Sequence, residues 1–364
     1  MPNFVFLVVF ILIYSLICFY IAYNGWVWLK AAFSFRYKKT YSFLIAGLSS
    51  ALFISYFIPS FFLEVIGGFW MAVVGYSMII LPLANVLYFL FKRRNTLKIG
   101  LGFTISAFFM FVLIYGSYNA WSPVVREYEV SLNEEFDEWQ GEEMRILFVA
   151  DLHLGNVIGE RHLQRLVDIT SRENPDLIFL GGDIINDNIS PFQENELLDV
   201  ISKMQAPLGV FAVPGNHDYY GGDLLLLRDE MVTAGFHFLM DEVVTIEDTM
   251  SIIGRHDYSN EERKSIQELT SEIVDDELPI FIIDHQPREI DVAEEAGAHF
   301  IFSGHTHRGQ LMPANLITSA LFENDWGHLQ RNQLHSFTTS GFGFWGPALR
   351  IGSRSEVMMI TVTY

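Results

Sequence analysis

Five short polar clusters in this chain carry residue types suited to metal chemistry: Asp151-Leu-His153, Gly-Gly-Asp183, Gly-Asn216-His217-Asp218, Asp-His285 and Gly-His305-Thr-His307. Carboxylate, amide and imidazole groups are hard-to-borderline donors that suit divalent ions such as Mn, Fe, Zn or Ni. Asp151, His153, Asp183, Asn216, His285, His305 and His307 supply enough donors for a pair of ions, and His217 is left over to do chemistry. Taken singly, each cluster reads as an ordinary loop. Brought together without cations, their carboxylates would be buried and unpaired at high cost, so metal is the simplest account of a fold that unites them.

Each cluster ends a short apolar run: Ile146 to Ala150, Leu177 to Leu180, Val210 to Val213, Ile280 to Ile283 and Phe300 to Phe302. Such runs are the signature of strands buried on both faces. Helical patterns fill the gaps, over Glu160 to Glu173, Gln193 to Met204, Asp223 to Ala234, Glu261 to Val274 and Arg288 to Ala296. Alternation of this kind predicts right-handed crossovers and a largely parallel sheet. Ligands of open α/β sheets collect beyond the carboxyl ends of strands, so the five clusters are expected on one rim. Val125 to Leu132 reads as a strand and the acidic Glu134 to Glu143 as a solvated loop. Val243 to Glu247, Ser251 to Gly254 and Glu356 to Thr363 read as further antiparallel strands, enough for a second sheet and a layered sandwich.

Upstream of about Ser122 the composition changes to apolar residues with few charges. Four runs stand out: Phe4 to Leu29, Tyr41 to Ile58, Phe69 to Phe91 and Ile99 to Tyr118. A helix needs about 20 apolar residues to cross the hydrocarbon, so these predict four spans, with Trp26, Trp28, Tyr41, Trp70 and Trp121 near their ends, where amphipathic rings favour the interface. The expected division is a transmembrane region over 1–121, a linker with the first strand over 122–142, and the metal-binding domain over 143–364. Lys30, Arg36, Lys38 and Lys39 follow the first span, and Lys92, Arg93, Arg94 and Lys98 follow the third, whereas the link from Pro59 to Gly67 carries only Glu64. Basic loops stay in the cytoplasm, so everything after Trp121 is expected outside, in the periplasm or at the exterior of a bacterial inner or plasma membrane. A cleavable signal peptide is disfavoured, because the first run is long, lacks a basic lead and has no A-x-A-like site. No Asp, Glu, Lys, Arg or His interrupts the spans, so the bundle reads as an anchor.

A net charge of −20 disfavours nucleic-acid binding through a basic patch. Cys18 is the only cysteine, which excludes an intrachain disulfide and a multi-cysteine zinc site.

In their order, D-x-H, G-G-D, G-N-H-D, a later His and G-H-x-H, the five blocks resemble the calcineurin-like metallophosphoesterases from about Glu143 to the C-terminus. The closing Thr339 to Arg350 and Gly352 to Glu356 look like the membrane-attached bacterial branch similar to the YkuE and YaeI proteins. That branch often has Ser-Arg-Gly where this chain has Thr339-Ser340-Gly341, which leaves Arg350 or Arg308 to contact phosphate in its place. The resemblance implies an α/β/β/α sandwich. It also implies that Asp151, His153 and His307 hold one metal, that Asn216, His285 and His305 hold a second, and that Asp183 bridges them. His217 would be the non-ligand histidine that contacts phosphate and protonates the leaving oxygen, and Asp218 would orient its ring. The expected reaction is hydrolysis of phosphate mono- or diesters by attack of a metal-bridged hydroxide. Arg255 is a further candidate for substrate phosphate; His162, His237, His256, His299, His328 and His335 read as surface or packing residues.

Gly309 to Phe322 is unusually apolar for a loop, as is the stretch with Phe342, Phe344, Trp345 and Leu349. Both suit an acyl chain or a membrane-dipping edge, which points to a lipid-linked phosphate or diphosphate as substrate. Two alternatives stand beside this reading. One is a membrane sensor whose spans regulate the hydrolase, and the other is a cytoplasm-facing pyrophosphatase of a nucleotide-linked lipid.

Overall fold

In chain order, the computed structural model describes residues 2–132, 143–246, 249–274 and 277–363; of the acidic stretch Glu134 to Glu143, only Glu143 lies among them. Two compact units form: Met1–Ser117 with Gly346–Leu349, and Tyr118–Trp345 with Arg350–Tyr364.

The first unit is built from α1 (Pro2–Phe33), α2 (Lys38–Phe57), α3 (Phe61–Leu90) and most of α4 (Asn95–Trp121). All four helices are long and apolar enough to cross a membrane. Helix α3 begins earlier than the sequence suggests, so Phe61 to Gly68 is helical rather than part of a link. The paired glycines that read as a loop serve helix packing: a Cβ on Gly67 would lie 2.9 Å from the Leu52 backbone of α2. Trp70 is buried with Tyr14, Cys18 and Val74 instead of marking an interface. Tyr14 also donates to the Ser49 carbonyl at 2.8 Å, which satisfies its hydroxyl inside an apolar bundle.

In the second unit the strands are β1 (Val124–Ser131), β2 (Glu143–Val149), β3 (Leu177–Leu180), β4 (Val210–Ala212), β5 (His237–Phe238), β6 (Glu242–Ile246), β7 (Met250–Gly254), β8 (Ile280–Ile283), β9 (Phe300–Ser303), β10 (Gly327–Arg331), β11 (Leu334–Thr338) and β12 (Glu356–Thr363). They form two six-stranded sheets, ordered β1-β12-β2-β3-β4-β5 and β10-β11-β9-β8-β7-β6. The five cluster-bearing strands are therefore divided, with β2, β3 and β4 in one sheet and β8 and β9 in the other. Within each set the pairing is parallel, so their carboxyl ends share a direction. Glu356 to Thr363 closes the first sheet and not the second: β12 is antiparallel to β2 and parallel to β1.

Alternate residues of both sheets meet in one core, where Phe148, Phe179, Phe211, Phe281, Phe300, Phe302 and Phe337 are buried. Burying a phenylalanine is worth about 1.5–3 kcal/mol, so this layer fixes how the sheets face each other. The opposite face of the second sheet, Ile253, Ile282 and Ile301, packs on Ile266 and Leu269 of α10 (Ile266–Thr270) and Ile290 and Ala293 of α11 (Ile290–Glu295). Helix α5 (Glu160–Glu173) buries Leu163, Leu166 and Val167 on its inner face. The helix expected over Gln193 to Met204 is two short pieces, α6 (Ser190–Glu194) and α7 (Leu197–Ile201), separated by Glu196 in a left-handed conformation.

Candidate metal centre

Asp151 lies two residues past β2, Asp183 lies beyond β3, and Asn216 opens α8 (Asn216–Tyr220) after β4, ahead of α9 (Leu224–Thr233); from the other sheet come His285 after β8 and His305 and His307 after β9. The loops are held in unusual backbone conformations. Asp151 (φ 55°), His153 (47°), Asp183 (52°), His305 (69°) and His307 (46°) all occupy the left-handed region, which costs a non-glycine residue about 1–2 kcal/mol. Cross-loop bonds offset that strain: Asp151 donates to the Gly182 carbonyl and His153 to the Asp183 carbonyl, both at 2.9 Å. Gly182 is required for the convergence, because a Cβ there would sit 2.7 Å from both the Gly215 nitrogen and His285 Nδ1.

The side chains meet in three overlapping groups that could hold a cation: Asp151 with His153 and His307; His153 with Asp183 and His217; and Asp151 with Asp183 and His285. Asp183 Oδ2 is 3.2 Å from His285 Nε2 and 3.8 Å from His153 Nε2. The Nε2 atoms of His153 and His307 face each other at 3.1 Å, and His307 Nε2 is 3.5 Å from Asp151 Oδ1. Asn216 and His305 meet at 2.8 Å through Oδ1 and Nδ1, and His305 packs edge-on to His285. All seven predicted donors thus gather at one place.

This donor set fits divalent metal. His285 is fully buried; its Nδ1 is 2.7 Å from the Gly181 carbonyl, while Nε2 is directed at Asp183 Oδ2, 3.2 Å away. Pinning one ring nitrogen on a carbonyl is how a protein presents the other as a ligand. Without a cation the electrostatics are frustrated. Burial pushes Asp151 up to about 7 and His153 down to about 3. Burial also opposes ionisation of Asp183, but His285, His153 and His217 outweigh it and hold that carboxyl well below the usual range.

His217 sits at the edge of the group, its ring edge-on to His153. Its backbone N–H donates to Asp183 Oδ1 at 2.8 Å, and its Nδ1 is bonded to Asp187. Burial lowers the basicity of His217, but Asp187 and Asp183 together raise it above the ordinary imidazole value. Asp187 is the residue that sequence reasoning missed. Asp218, expected to orient the ring, instead accepts from the backbone of Gly215 (2.8 Å), Ile185 (3.0 Å) and Ile184 (3.3 Å). It fastens two loops together and leaves the imidazole to Asp187.

Two of the three predicted phosphate-binding arginines are already committed. Arg255 is buried, and its Nη1 bonds both Asp284 and Glu289 at 2.6 Å, not the neighbouring Asp257. Arg350 is buried too, donating to the carbonyls of Gly341 and Gly343 and lying 3.3 Å from His307 Nδ1, so it braces the site wall. Neither is open to a ligand, because each guanidinium satisfies buried acceptors that would otherwise be unpaired. The third, Arg308, lies over the Trp326 ring, 3.8 Å from its centroid.

A sequence profile described as calcineurin-like phosphoesterase matches residues 144–309. An uncharacterized metallophosphoesterase of Aquifex aeolicus is 31% identical over 232 residues, covering 61% of this chain and 86% of that protein. The YkuE metallophosphoesterase of Bacillus subtilis is 25% identical, covering 60% and 78% respectively. A zebrafish (Danio rerio) transmembrane protein with a metallophosphoesterase domain is 27% identical over 68% of this chain and 60% of its own length. Taken with two facing sheets that deliver every donor to one rim, these matches show that the chain belongs to the calcineurin-like metallophosphoesterases, and that it is a metal-dependent phosphoester hydrolase carried on membrane-spanning helices.

Proposed function

We propose that the protein hydrolyses phosphate mono- or diesters at a two-metal centre. In this reading Asp151, His153 and His307 would hold one ion, Asn216, His285 and His305 would hold the other, and Asp183 would serve both. The observation that carries it is the position of Asp183, whose Oδ2 faces His153 from one set and His285 from the other. Bound divalent ions supply an activated water and charge stabilisation for the phosphoryl oxygens. The chain supplies the rest. His217, held by Asp187, would donate a proton from Nε2 to the departing oxygen, and the bond to Nδ1 fixes which nitrogen faces the substrate.

A lipid-linked phosphate or diphosphate is the proposed substrate class. Helix α12 (Asn315–Leu321) buries none of its residues, and Leu316, Ile317 and Leu321 are 66%, 61% and 72% exposed. An exposed apolar face of this kind marks an interaction site, and an alkyl chain would cover it. Metal-loaded full-length protein in detergent should cleave amphiphilic phosphoesters with higher kcat/KM than soluble ones. Clear preference for soluble esters would remove the lipid assignment, and no hydrolysis of either would remove the phosphoesterase assignment.

The catalytic unit is proposed to face the periplasm or cell exterior, since both Lys/Arg-rich loops follow odd-numbered helices. That side disfavours a cytoplasmic nucleotide-linked lipid as substrate. A cysteine placed at exposed Ser259, in a chain whose only native cysteine is buried, should react with an impermeant thiol reagent on intact cells. Reaction only after permeabilisation would reverse the orientation.

A further inference from the structure

Among the described residues, two arginines near the metal centre have no carboxylate partner: Arg308, over the Trp326 ring, and Arg288, which sequence motifs gave no reason to single out. Arg288 follows β8 by five residues, three beyond His285, and is exposed. Its guanidinium is seated between two aromatic rings, 4.7 Å from the centroid of Tyr258 and 5.6 Å from that of Phe322. Such seating orients a cation without neutralising it. The Nε atom donates to Gln286 at 2.7 Å, and buried Gln286 donates in turn to both oxygens of Asp257, at 3.1 and 3.0 Å. Among the described residues, Nη1 and Nη2 have neither a hydrogen-bond acceptor nor a carboxylate partner.

The contrast with its neighbours makes this informative. Arg263 also stacks on Tyr258, but Asp284 and Glu289 neutralise it, as they do Arg255. Arg288 therefore presents an oriented fork of N–H donors with full positive charge on a strongly acidic protein. Its place relative to the centre is set by Phe322, which packs edge-on to His305 at 6.0 Å and touches Arg288 with the same ring. Sharing the Phe322 ring with His305, Arg288 would meet a part of the substrate beside a phosphoryl group held at His285 and His305. That is the place of the next anionic group along a substrate, not of the group being cleaved.

We propose that Arg288, seated on Tyr258 and Phe322, is a specificity-determining residue that binds a second anionic group of the substrate, such as the non-scissile phosphate of a diphosphate ester. The assignment rests on the phosphoesterase reading of the adjacent centre. Phe322 immediately follows α12, so the same surface offers a cation and then exposed aliphatic side chains, the order in which an amphiphilic diphosphate presents its parts.

The test uses full-length protein in detergent, with inorganic diphosphate and inorganic phosphate as competitive inhibitors of a soluble phosphoester. In Arg288→Ala the inhibition constant for diphosphate should rise about tenfold or more, the loss expected for a charge-assisted bidentate contact, while that for orthophosphate stays within about threefold. Arg288→Lys keeps the charge but loses the planar fork and should fall between the two. Both variants should keep wild-type metal content. A parallel rise for both anions, no rise for either, or loss of metal in both variants would overturn the proposal. Absence of hydrolysis by the metal-loaded wild-type protein would instead remove the phosphoesterase reading on which it rests.

Discussion

Asp183→Asn should reduce kcat/KM for any phosphoester by about three orders of magnitude or more, the equivalent of at least about 4 kcal/mol. The substitution keeps the shape of the side chain and one acceptor for the His217 amide, which now bonds Asp183 Oδ1 at 2.8 Å. It removes the negative charge to which both proposed ligand sets are directed. Asp183 is 1% exposed and sits beside His285, His153 and His217, so the lost charge cannot be replaced by solvent. Both ions should bind more weakly, because a bridging carboxylate serves each. Loss of one ion with the other held at wild-type affinity would assign Asp183 to a single site instead.

His217→Ala should behave differently. Turnover of esters with alkoxide leaving groups should fall about 10²- to 10⁴-fold, the usual contribution of a positioned general acid, while metal content stays near that of the wild type. The loss should be much smaller for an aryl ester whose leaving group departs without a proton. Undiminished turnover of the alkoxide esters would contradict the assignment. Steady-state kinetics on the two ester classes, with metal analysis of the same preparations, separates proton donation from ligation. Separation is needed because His217 also stands within reach of His153 and Asp183.

How much of this was legible beforehand depended on whether the information was local. The five strand-end clusters were readable because each motif follows an uninterrupted apolar run, and α5 was readable to its bounds because its apolar residues recur at helical spacing. The partner of His217 was not readable. Asp187 is 30 residues away in sequence, whereas Asp218 is adjacent and invites the wrong pairing. Arg255 illustrates the same limit, since its partners Asp284 and Glu289, 29 and 34 residues on, follow the neighbouring strand β8, whose Ile283 pairs with Gly254. Strands β10 and β11 were missed because Gly327-His-Leu-Gln-Arg331 lacks β-branched residues and is half polar. Its pairing with the buried β11 makes it a strand. The helix expected over Glu261 to Val274 shrinks to Ile266–Thr270 because tertiary contacts override propensity. Arg263 is drawn to Asp284 and Glu289, and the Lys264 amide donates to Asp241.

The distribution of buried charge also follows from the site. The second unit holds Asp151, Asp183, Asp218, Asp257, Asp284 and Glu356 almost wholly out of solvent. Asp218, Asp257, Asp284 and Glu356 are met by backbone amides, Gln286, arginines or Trp326. Asp151 accepts from the His305 amide, at 3.0 and 3.1 Å, and Asp183 from that of His217. What faces these two carboxylates otherwise is mainly imidazole, from His153, His217, His285 and His307, the arrangement of a metal site rather than of a structural ion pair. Burial at that cost is retained where a cation completes the site.

The central claim is that Asp183 joins two ions, and metal content per chain tests it most directly. Full-length wild-type protein equilibrated with a divalent ion and stripped of loosely bound metal should carry about two ions per chain, and Asp183→Asn about none under the same conditions. A wild-type value of one or fewer at saturation, or a variant that keeps both ions, would contradict the account.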